Sequence, residues 1–405
     1  MNHPRSRASL QAEGSMIVGG GIAGLATAIA LNNVAGVRNV SILEASSHEE
    51  FNDTSLGAAL FLGPNGLKAL RAIGGNKLMN QVIESGTRIT GNEVTMPGQT
   101  MVIPDTAEQK TGLPNVMVRW GVMRSILQNH LSDGVKVSNG KTVTAEDFLK
   151  YPSFAESAPM LVAADGIRSS FAPMVRGDTI SNLKDNGRTN IKAVAPTEMF
   201  DHCGKTKASF APDGSVACFA GPAGEGYTYW AISIADSVVA AEGGTTTRFV
   251  DGTEDLSIVK EKLLETLSTK KAFAFAIELI TDTESDNFFV GRSEESLEIG
   301  PSLCQDKVVL IGDAAHAMAA SYGQCPNFAL EDAATLAWCI RDSKKELEDA
   351  MDDYSNARVD RCAEMAERAS VRLSKATKGE NTEDVWDFIF DWKSPMSASD
   401  MQTVG

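Results

Sequence analysis

The sequence predicts an α/β protein in which a parallel-sheet domain is interrupted by a β-rich domain and followed by C-terminal helices. Near the start, the apolar run Ser15–Val18, a glycine turn, the helix-like Ile22–Leu31 and the β-branched run Val40–Leu43 follow one another within about 30 residues. Apolar and polar residues then alternate between 190 and 234, which is typical of an antiparallel sheet with one covered face. Helical spacing returns at Pro326–Ile340.

The remaining elements follow from the spacing of apolar residues along the chain. Short continuous apolar runs predict buried strands at Met160–Ala164 and Lys307–Ile311. Apolar residues recurring every three to four positions predict helices at Leu67–Ile73, Arg119–Leu131, Asp255–Leu267 and, as a charged helix, 341–373.

Composition excludes several classes of function. The 405 residues are 43% apolar and 22% charged, which is ordinary for a folded chain. A net charge of −16 argues against binding to nucleic acid phosphates or to an anionic membrane surface. The six cysteines form no C-x-x-C pair and the five histidines are scattered, so we expect reduced thiols in a cytoplasmic protein and no metal site. No apolar run reaches the roughly 20 residues that a membrane span requires.

The residues between the first strand and the first helix form the pattern G-x-G-x-x-G. In such a loop the first glycine makes a tight turn, the second lets a pyrophosphate approach the backbone, and the third lets helix and strand pack closely. The helix N-terminus then offers unpaired N–H groups to the anion. A carboxylate 20 residues after the third glycine is suited to ribose hydroxyls. The pattern predicts a Rossmann-type dinucleotide site formed by Gly19, Gly21, Ile22, Ala23, Gly24 and Glu44.

Two further turns of small residues each follow a predicted buried strand. Ala164-Asp165-Gly166 follows the first of these strands, although an ordinary Asp-Gly turn also fits this sequence. Ile311-Gly312-Asp313 follows the second and leads through Gly323 and Gln324 into a helix. Small residues let a ligand lie against the backbone, and the Asp313 carboxylate is suited to sugar hydroxyls. Pro326 suits the first turn of the helix, whose N-terminus would face an anionic group.

In this order the three glycine motifs resemble those of the class A flavoprotein monooxygenases, the family of salicylate, para-hydroxybenzoate and kynurenine hydroxylases. The resemblance covers about 15–361, and further support for it comes from Gly57-Ala58-Ala59-Leu60, Pro64-Asn65, Arg119, Tyr354, Arg358 and Arg361. It implies a Rossmann-type, glutathione-reductase-like FAD-binding domain with an inserted β-sheet substrate domain and C-terminal helices.

The resemblance also implies a discontinuous domain organisation. The FAD-binding domain would comprise 15–80, 104–178 and 286–345, and the substrate domain 81–103 and 179–285. A C-terminal helical region would follow at 346–393, with flexible ends at 1–14 and 394–405.

Contacts with FAD are implied for residues of all three motifs. Glu44 is similar to the ligand of the adenosine ribose, and Arg119 and Asp313 are similar to residues at the ribityl-pyrophosphate. Asp165 belongs to a turn similar to one that contacts both FAD and NAD(P)H, and the loop around Gln324 would lie beside the isoalloxazine. The set implied outside the first motif is Glu44, Gly57, Ala58, Arg119, Asp165, Gly312, Asp313, Gly323, Gln324, Pro326 and Asn327.

The reaction implied by the resemblance is oxygen insertion. NADPH or NADH, a transient co-substrate, would reduce FAD, and O₂ would form a flavin C4a-(hydro)peroxide that hydroxylates or epoxidises a small aromatic or olefinic metabolite. The enzyme would act as a monomer or homodimer. Lys192 resembles in position an arginine that holds a phenolate in some fungal phenol hydroxylases, and Tyr227 or Tyr229 would be the companion hydroxyl. From the residues alone, Lys192 also fits a solvated strand and the tyrosines a sheet core.

Three residues depart from the usual pattern of the family. Ala320 replaces a proline, Ala172 replaces an arginine of the second motif, and Cys325 replaces a glycine. Because cysteine adopts positive φ less readily than glycine, we expect a rearranged loop at Cys325. These departures leave open a flavin-binding redox sensor or interaction protein without oxygenation. A flavin-dependent halogenase is a further alternative, although the W-x-W-x-I-P signature is missing at 229–232.

Overall fold

The computed structural model describes residues 10, 14–96, 99–151, 158–177, 183–196, 204–241, 249–250, 255–268, 270–296, 298–342, 346–377 and 384–394. The ends predicted to be flexible therefore lie outside the described residues, apart from Leu10, Gly14 and Ser394. Cys203 also lies outside them.

The strands are numbered here in chain order. They are β1 (Ser15–Val18), β2 (Val40–Leu43), β3 (Ala59–Leu62), β4 (Thr87–Ile89), β5 (Gly91–Met96), β6 (Gln99–Pro104), β7 (Asn115–Arg119), β8 (Val135–Ser138), β9 (Leu161–Ala163), β10 (Leu183–Ala195), β11 (Lys205–Phe210), β12 (Val216–Pro222), β13 (Thr228–Ala235), β14 (Phe289–Ser296), β15 (Cys304–Gln305) and β16 (Val308–Leu310).

The helices are numbered in the same way. They are α1 (Ile22–Asn33), α2 (His48–Asn52), α3 (Pro64–Ser85), α4 (Ala107–Thr111), α5 (Trp120–Asn129), α6 (Ala145–Lys150), α7 (Phe171–Arg176), α8 (Asp236–Ala241), α9 (Leu256–Ser268), α10 (Ala274–Asp282), α11 (Asp313–His316), α12 (Cys325–Asp342), α13 (Leu347–Thr377) and α14 (Trp386–Phe390). Within the described residues, no helix combines the length and the apolar character needed to cross a membrane.

The first sheet has the strand order β15-β16-β9-β1-β2-β8. All its neighbouring strands pair in parallel except β15 and β16. The central strands β1, β9 and β16 are buried throughout, as their continuous apolar sequences predict. Because neighbouring parallel strands end at the same edge, the segments that follow β1, β2, β9 and β16 are brought together. The predicted mixed α/β fold is confirmed.

The second sheet has the order β14-β10-β13-β12-β11-β5-β6 and is antiparallel except where β11 pairs with β5. One of its faces is buried beneath α9 and α10 in a second apolar core that includes Trp230 and Ile232. On the opposite face, Lys192 lies opposite Ala231, and the neighbouring pair is Val194 and Tyr229. The alternation at 190–234 therefore predicted this sheet correctly.

The domain boundaries stay a prediction: β14, at 289–296, was expected in the FAD-binding domain but pairs with β10 of the second sheet, whereas that sheet also contains β5 and β6, as expected. The strands β5 and β6, at 91–104, join the sheet formed by 183–235, as a shared substrate domain requires. In contrast, β4 belongs to a separate three-stranded sheet of order β3-β7-β4, and this sheet connects the two regions.

The helix predicted at Arg119–Leu131 begins one residue later. Arg119 is the last residue of β7 and has an extended conformation, with φ −62° and ψ 138°, so that α5 starts at Trp120. β7 is a buried strand that pairs with both β3 and β4, and these pairings extend the backbone up to the arginine. Arg119 is therefore held at a strand-to-helix corner.

Candidate active site

The three glycine turns meet at the carboxyl edge of the first sheet. Gly19 adopts φ +102°, and a Cβ at this position would lie 2.3 Å from the carbonyl oxygen of Ala164, at the start of the second motif. Gly312 adopts φ +60°, and its Cβ would lie 2.9 Å from the Cβ of Ala23. The first turn therefore touches the second motif on one side and the third on the other, and only glycine permits these approaches.

The first turn forms a cradle that is open at one point. A Cβ on Gly24 would lie 1.9 Å from the carbonyl oxygen of Gly19, so that α1 packs too closely for any side chain there. A Cβ on Gly21 would meet no described atom within 4 Å, and Gly21 is the N-cap of α1. The carboxylate of Glu44 accepts a hydrogen bond from the Gly20 N–H at 2.6 Å. The predicted pyrophosphate and ribose residues are thus brought together.

The third turn is fixed by a buried ionic network that the sequence did not predict. Asp332 of α12 accepts hydrogen bonds from the Gly312 N–H at 2.9 Å, from His316 Nε2 at 2.6 Å and from Arg358 Nε at 2.7 Å. Burial alone would lower the pKa of His316, but Cys362 and Asp332 raise it well above its ordinary value. The contact between His316 Nε2 and Asp332 anchors α11 to α12.

The His316 cluster also has the spacing of a metal site, because ligand atoms of His316, Asp332 and Cys362 lie within 4.8 Å of one another. However, the Asp332 carboxylate already accepts hydrogen bonds from Arg358, from the Gly312 N–H and from His316 Nε2, so it is satisfied without a metal. We assign the cluster a structural role.

Lys192 acts electrostatically on Asp313 and Cys325, which belong to the segment of the third turn. Burial raises the pKa of Asp313, and the positive charges of His316 and Lys192 oppose this rise. Burial also raises the pKa of Cys325 to about 12, so the thiol is neutral. Lys192 acts on both groups, so this residue of β10 lies within electrostatic reach of the third motif. Within the described part of the chain, no donor bonds to the Asp313 carboxylate.

The loop that precedes α12 is tied to the start of α3. Asn327 accepts a hydrogen bond from the Gly63 N–H at 2.8 Å and donates to the carbonyl of Phe61 at 2.9 Å. Gln324 accepts from Asn65 at 3.0 Å, while its Nε2 is buried without a partner among the described residues. Pro326 lies in the first turn of α12, as predicted.

The rearranged loop expected at Cys325 stays a prediction, but the backbone of Cys325 itself is unstrained. The left-handed conformation in this loop belongs to Gly323, with φ +64°, whereas Cys325 begins α12 and is absent from the described residues with positive φ. Cysteine is therefore accommodated here without backbone strain.

The second motif places a carboxylate beside the first turn. Gly166 adopts φ +86°, as the sharp turn requires. Asp165 accepts a hydrogen bond from the Ser170 N–H at 3.0 Å through Oδ2, and burial raises its pKa. Its Oδ1 is buried and has no hydrogen-bond partner in the part of the chain described.

Arg119, at the end of β7, lies next to the Gly57–Ala58 segment and contacts the β12–β13 turn of the second sheet. The carbonyl of Ala58 accepts a hydrogen bond from the Trp120 N–H at 2.7 Å. Gly57 adopts φ +89°, and a Cβ there would lie 2.6 Å from the Trp120 ring. Arg119 forms an ion pair with Glu225 in the β12–β13 turn. Its guanidinium lies 4.0 Å from the centre of the Tyr227 ring.

The two tyrosines considered as companions of Lys192 occupy different places. β13 begins at Thr228, so Tyr227 belongs to the preceding turn and stacks on Arg119. Tyr229 lies on the same sheet face as Lys192, and its ring centre is 6.2 Å from that of Phe219. The geometry therefore brings Lys192 together with Tyr229.

Three acidic residues of this region, Glu225, Glu331 and Asp332, were not identified from the sequence. The adjacent carboxylates Glu331 and Asp332 stand in an otherwise apolar stretch of α12 and are fully buried, where they pair with Arg358 and, for Glu331, with Arg361. Two adjacent acidic residues in an apolar helix could have indicated a buried ionic network, because buried charges require partners of opposite charge. For Glu225 no local signal exists beyond its position between two glycines.

The unpartnered polar atoms fit FAD. Buried Asp165 Oδ1, Arg119 Nε and Gln324 Nε2 lack hydrogen-bond partners within the described residues, and the Asp313 carboxylate has no donor there. Two carboxylates suit hydroxyl donors of a sugar chain, the guanidinium suits a phosphate oxygen, and the amide suits a carbonyl acceptor. The open point at Gly21 leaves room for a pyrophosphate.

Comparisons with known proteins agree with this geometry. The profile of the FAD binding domain family matches residues 300–369. The chain is 26% identical to the aurachin C monooxygenase/isomerase of Stigmatella aurantiaca, over 92% of this chain and 91% of that protein. It is 24% identical to an FAD-dependent urate hydroxylase of Mycolicibacterium vanbaalenii, over 88% and 87%. A crystal structure of Klebsiella pneumoniae HpxO complexed with FAD and uric acid aligns with a TM-score of 0.70 at 21% identity, over 91% and 90%. The resemblance expected from the sequence motifs is confirmed.

Proposed function

We propose that this FAD-dependent monooxygenase, a relative of the class A flavoprotein hydroxylases, uses NADPH or NADH and O₂ to hydroxylate or epoxidise a small aromatic or olefinic metabolite. The observation that carries the proposal is the meeting of three glycine turns beside two acceptors with no donor in the described structure, the carboxylate of Asp313 and Oδ1 of Asp165. When bound, FAD would take a hydride from the nicotinamide and activate O₂, so that one oxygen atom enters the substrate.

Different residues of the chain would bind different parts of FAD. Glu44 and the Gly19–Gly24 turn would bind the adenosine ribose and the pyrophosphate at the N-terminus of α1. Asp313 would accept hydrogen bonds from ribityl hydroxyls, and its half-buried carboxylate would gain the donors that it lacks. Arg119 would pair with a phosphate oxygen. The positive dipole end of α12, beside Gly323 and Gln324, would favour negative charge on the isoalloxazine.

The substrate would lie against the face of the second sheet that carries Lys192. This face offers the rings of Tyr229 and Phe219 for stacking and a single ammonium group close to the third motif. Lys192 would hold an anionic or phenolic oxygen of the substrate and so orient the ring. We propose Tyr229 as its companion hydroxyl, because it shares the face with Lys192.

The remaining expectations are proposals of the same kind. We propose a monomer or homodimer located in the cytoplasm. In the described part of the chain, five cysteines are free thiols, which suits a reducing compartment.

The proposal is tested by measuring FAD binding and then substrate-dependent oxygen transfer. Purified protein should be yellow, and a screen of aromatic and olefinic metabolites, with uric acid included because relatives act on it, should find a compound that stimulates NADPH or NADH oxidation. Mass spectrometry under ¹⁸O₂ should then detect one labelled oxygen atom in the product. Protein that takes up no FAD would overturn the proposal. If the protein binds FAD but no metabolite in the screen becomes oxygenated, the redox-sensor alternative would be favoured.

A further inference from the structure

The contacts of Arg119 occupy only part of its guanidinium. One terminal nitrogen pairs with Glu225, and one face of the group lies over the Tyr227 ring, with Cζ 4.0 Å from the ring centre. The Arg119 side chain is only 13% exposed, and its buried Nε has no acceptor among the described residues. The guanidinium is therefore stacked and ion-paired on one side, whereas its Nε–H on the other side can still donate a hydrogen bond to one oxygen acceptor.

The turn that carries Glu225 is held firmly in place. The Gly224 N–H donates to the hydroxyl of Thr87 at 3.1 Å, and a Cβ on Gly224 would lie 2.4 Å from the carbonyl oxygen of Ser85. The β12–β13 turn of the second sheet is therefore packed against the C-terminal end of α3. Its contact with Arg119 joins the sheet that carries Lys192 to the region that carries the glycine turns.

Glu225 adopts an unfavourable backbone conformation. Its φ is +52°, one of two positive values among the described non-glycine residues, and glycines flank it on both sides. A glycine at this position would avoid the strain, so the carboxylate side chain provides something that the turn alone does not require. The contact that it makes is the ion pair with Arg119.

We propose that Glu225 and Tyr227 are positioning residues that hold the Arg119 guanidinium in place so that its Nε can bind an anionic oxygen of the cofactor. The inference rests on the proposed function, because it takes that anion to be a phosphate oxygen of FAD. It gives Tyr227 a role different from that of a hydroxyl beside the substrate: the aromatic ring supports the cation, and the phenol oxygen is dispensable.

The role of Glu225 is tested by a double-mutant cycle on FAD binding by the apoprotein. Glu225→Gln removes the charge and keeps the size, and we expect the FAD Kd to rise about fivefold, the scale of a partly exposed ion pair. The same change made together with Arg119→Gln should add nothing, because Glu225 acts through Arg119. The matched control is Glu108→Gln, which breaks a more exposed pair with Arg88 (2.8 Å) and should leave the FAD Kd unchanged.

Tyr227 is tested by comparing two variants. Tyr227→Phe keeps the ring and should retain the FAD affinity of the unmodified protein. Tyr227→Leu removes the ring and should raise the FAD Kd by about fivefold, the scale of a partly desolvated cation–π contact. Thermal unfolding of each apoprotein separates loss of binding from loss of fold.

The outcomes distinguish this inference from the proposed function. If the unmodified protein binds no FAD, the proposed function fails. If it binds FAD but Glu225→Gln leaves the Kd within twofold, or weakens binding equally in the Arg119→Gln background, only the positioning role fails. If Tyr227→Phe abolishes oxygen transfer without changing the FAD Kd, Tyr227 acts on the substrate and its role as a support for Arg119 is refuted.

Discussion

Replacing Asp313 by asparagine should weaken FAD binding without weakening the fold. The carboxylate is half-buried beside the third turn, and no donor bonds to it within the described residues. Asparagine keeps the shape and one acceptor oxygen but removes the charge. Any loss of affinity therefore reports on the charged hydrogen bonds that the ionised carboxylate would accept from ribityl hydroxyls.

The magnitude follows from the difference between charged and neutral hydrogen bonds. A bond to a charged group contributes about 1.5–3 kcal/mol and a neutral one about 0.5–1.5 kcal/mol, so we expect a loss of about 1–1.5 kcal/mol. This corresponds to an FAD Kd about tenfold higher. Asp313→Ala removes both acceptors and should raise the Kd further.

The pH dependence supplies a second signature. Burial raises the pKa of Asp313 in the apoprotein, so its carboxylate loses its charge at a higher pH than an ordinary aspartate does. FAD affinity should be constant above this raised pKa and should fall as the pH decreases through it, whereas Asp313→Asn should lack this transition. Because a raised pKa means that the fold disfavours the ionised form, removing the charge should leave the apoprotein at least as stable at pH 7.

Titration of the apoprotein with FAD, followed by flavin fluorescence between pH 4.5 and 8, measures both effects. The matched control is Asp353→Asn, which removes the same charge from an exposed position on α13. Urea unfolding of each apoprotein shows whether the fold is retained. An Asp313→Asn protein with the Kd and pH profile of the unmodified protein would refute the assignment of Asp313 to the cofactor.

Three further outcomes are expected. Gly21→Ala should fold normally, because its Cβ would meet nothing within 4 Å, but it should raise the FAD Kd at least about tenfold by filling the space left for the pyrophosphate. The control is Gly291→Ala, whose Cβ is equally uncrowded and which should bind FAD normally. Equal FAD affinities of the two variants would contradict a pyrophosphate site at Gly21. Lys192→Gln should raise the KM of the substrate that stimulates NADPH or NADH oxidation, while Lys192→Arg should largely restore it; an unchanged KM would place Lys192 outside the site. His316→Gln should destabilise the protein by about 3–5 kcal/mol at pH 6, because it leaves Asp332 without one of its charged partners. Since the pKa of His316 is raised in the fold, this loss of stability should be largest below pH 6.5 and should diminish as the pH rises through the raised pKa. Urea unfolding in which the loss instead grows with pH would contradict the raised pKa.

The glycine turns could be predicted from the sequence because local rules determine them. β1 and β2 occupy the ranges that their apolar runs predicted. Parallel strands end at one edge, so a turn after each buried strand must contribute to the same rim of the sheet. The spacing of Glu44 from Gly24 then places a carboxylate beside the turn, where it bonds to Gly20.

Contacts between the two sheets could not be predicted in this way. Alternation distinguishes the two faces of a strand, but it does not determine where the strand begins. Because β13 begins at Thr228, Tyr227 lies in the turn and Tyr229 on the Lys192 face, although only one residue separates them. The pair formed by Arg119 and Glu225 joins residues that are 106 positions apart, and it depends on how the sheets are docked.

Hydrogen exchange with and without FAD tests most directly whether three distant turns bind one cofactor. Peptides covering 15–24, 161–168 and 310–327 would be followed as FAD is added to the apoprotein, with a peptide from α9 as the internal control. All three should become protected with a single FAD midpoint, and the α9 peptide should not change. Protection of one turn alone, or different midpoints for the three, would contradict a shared site.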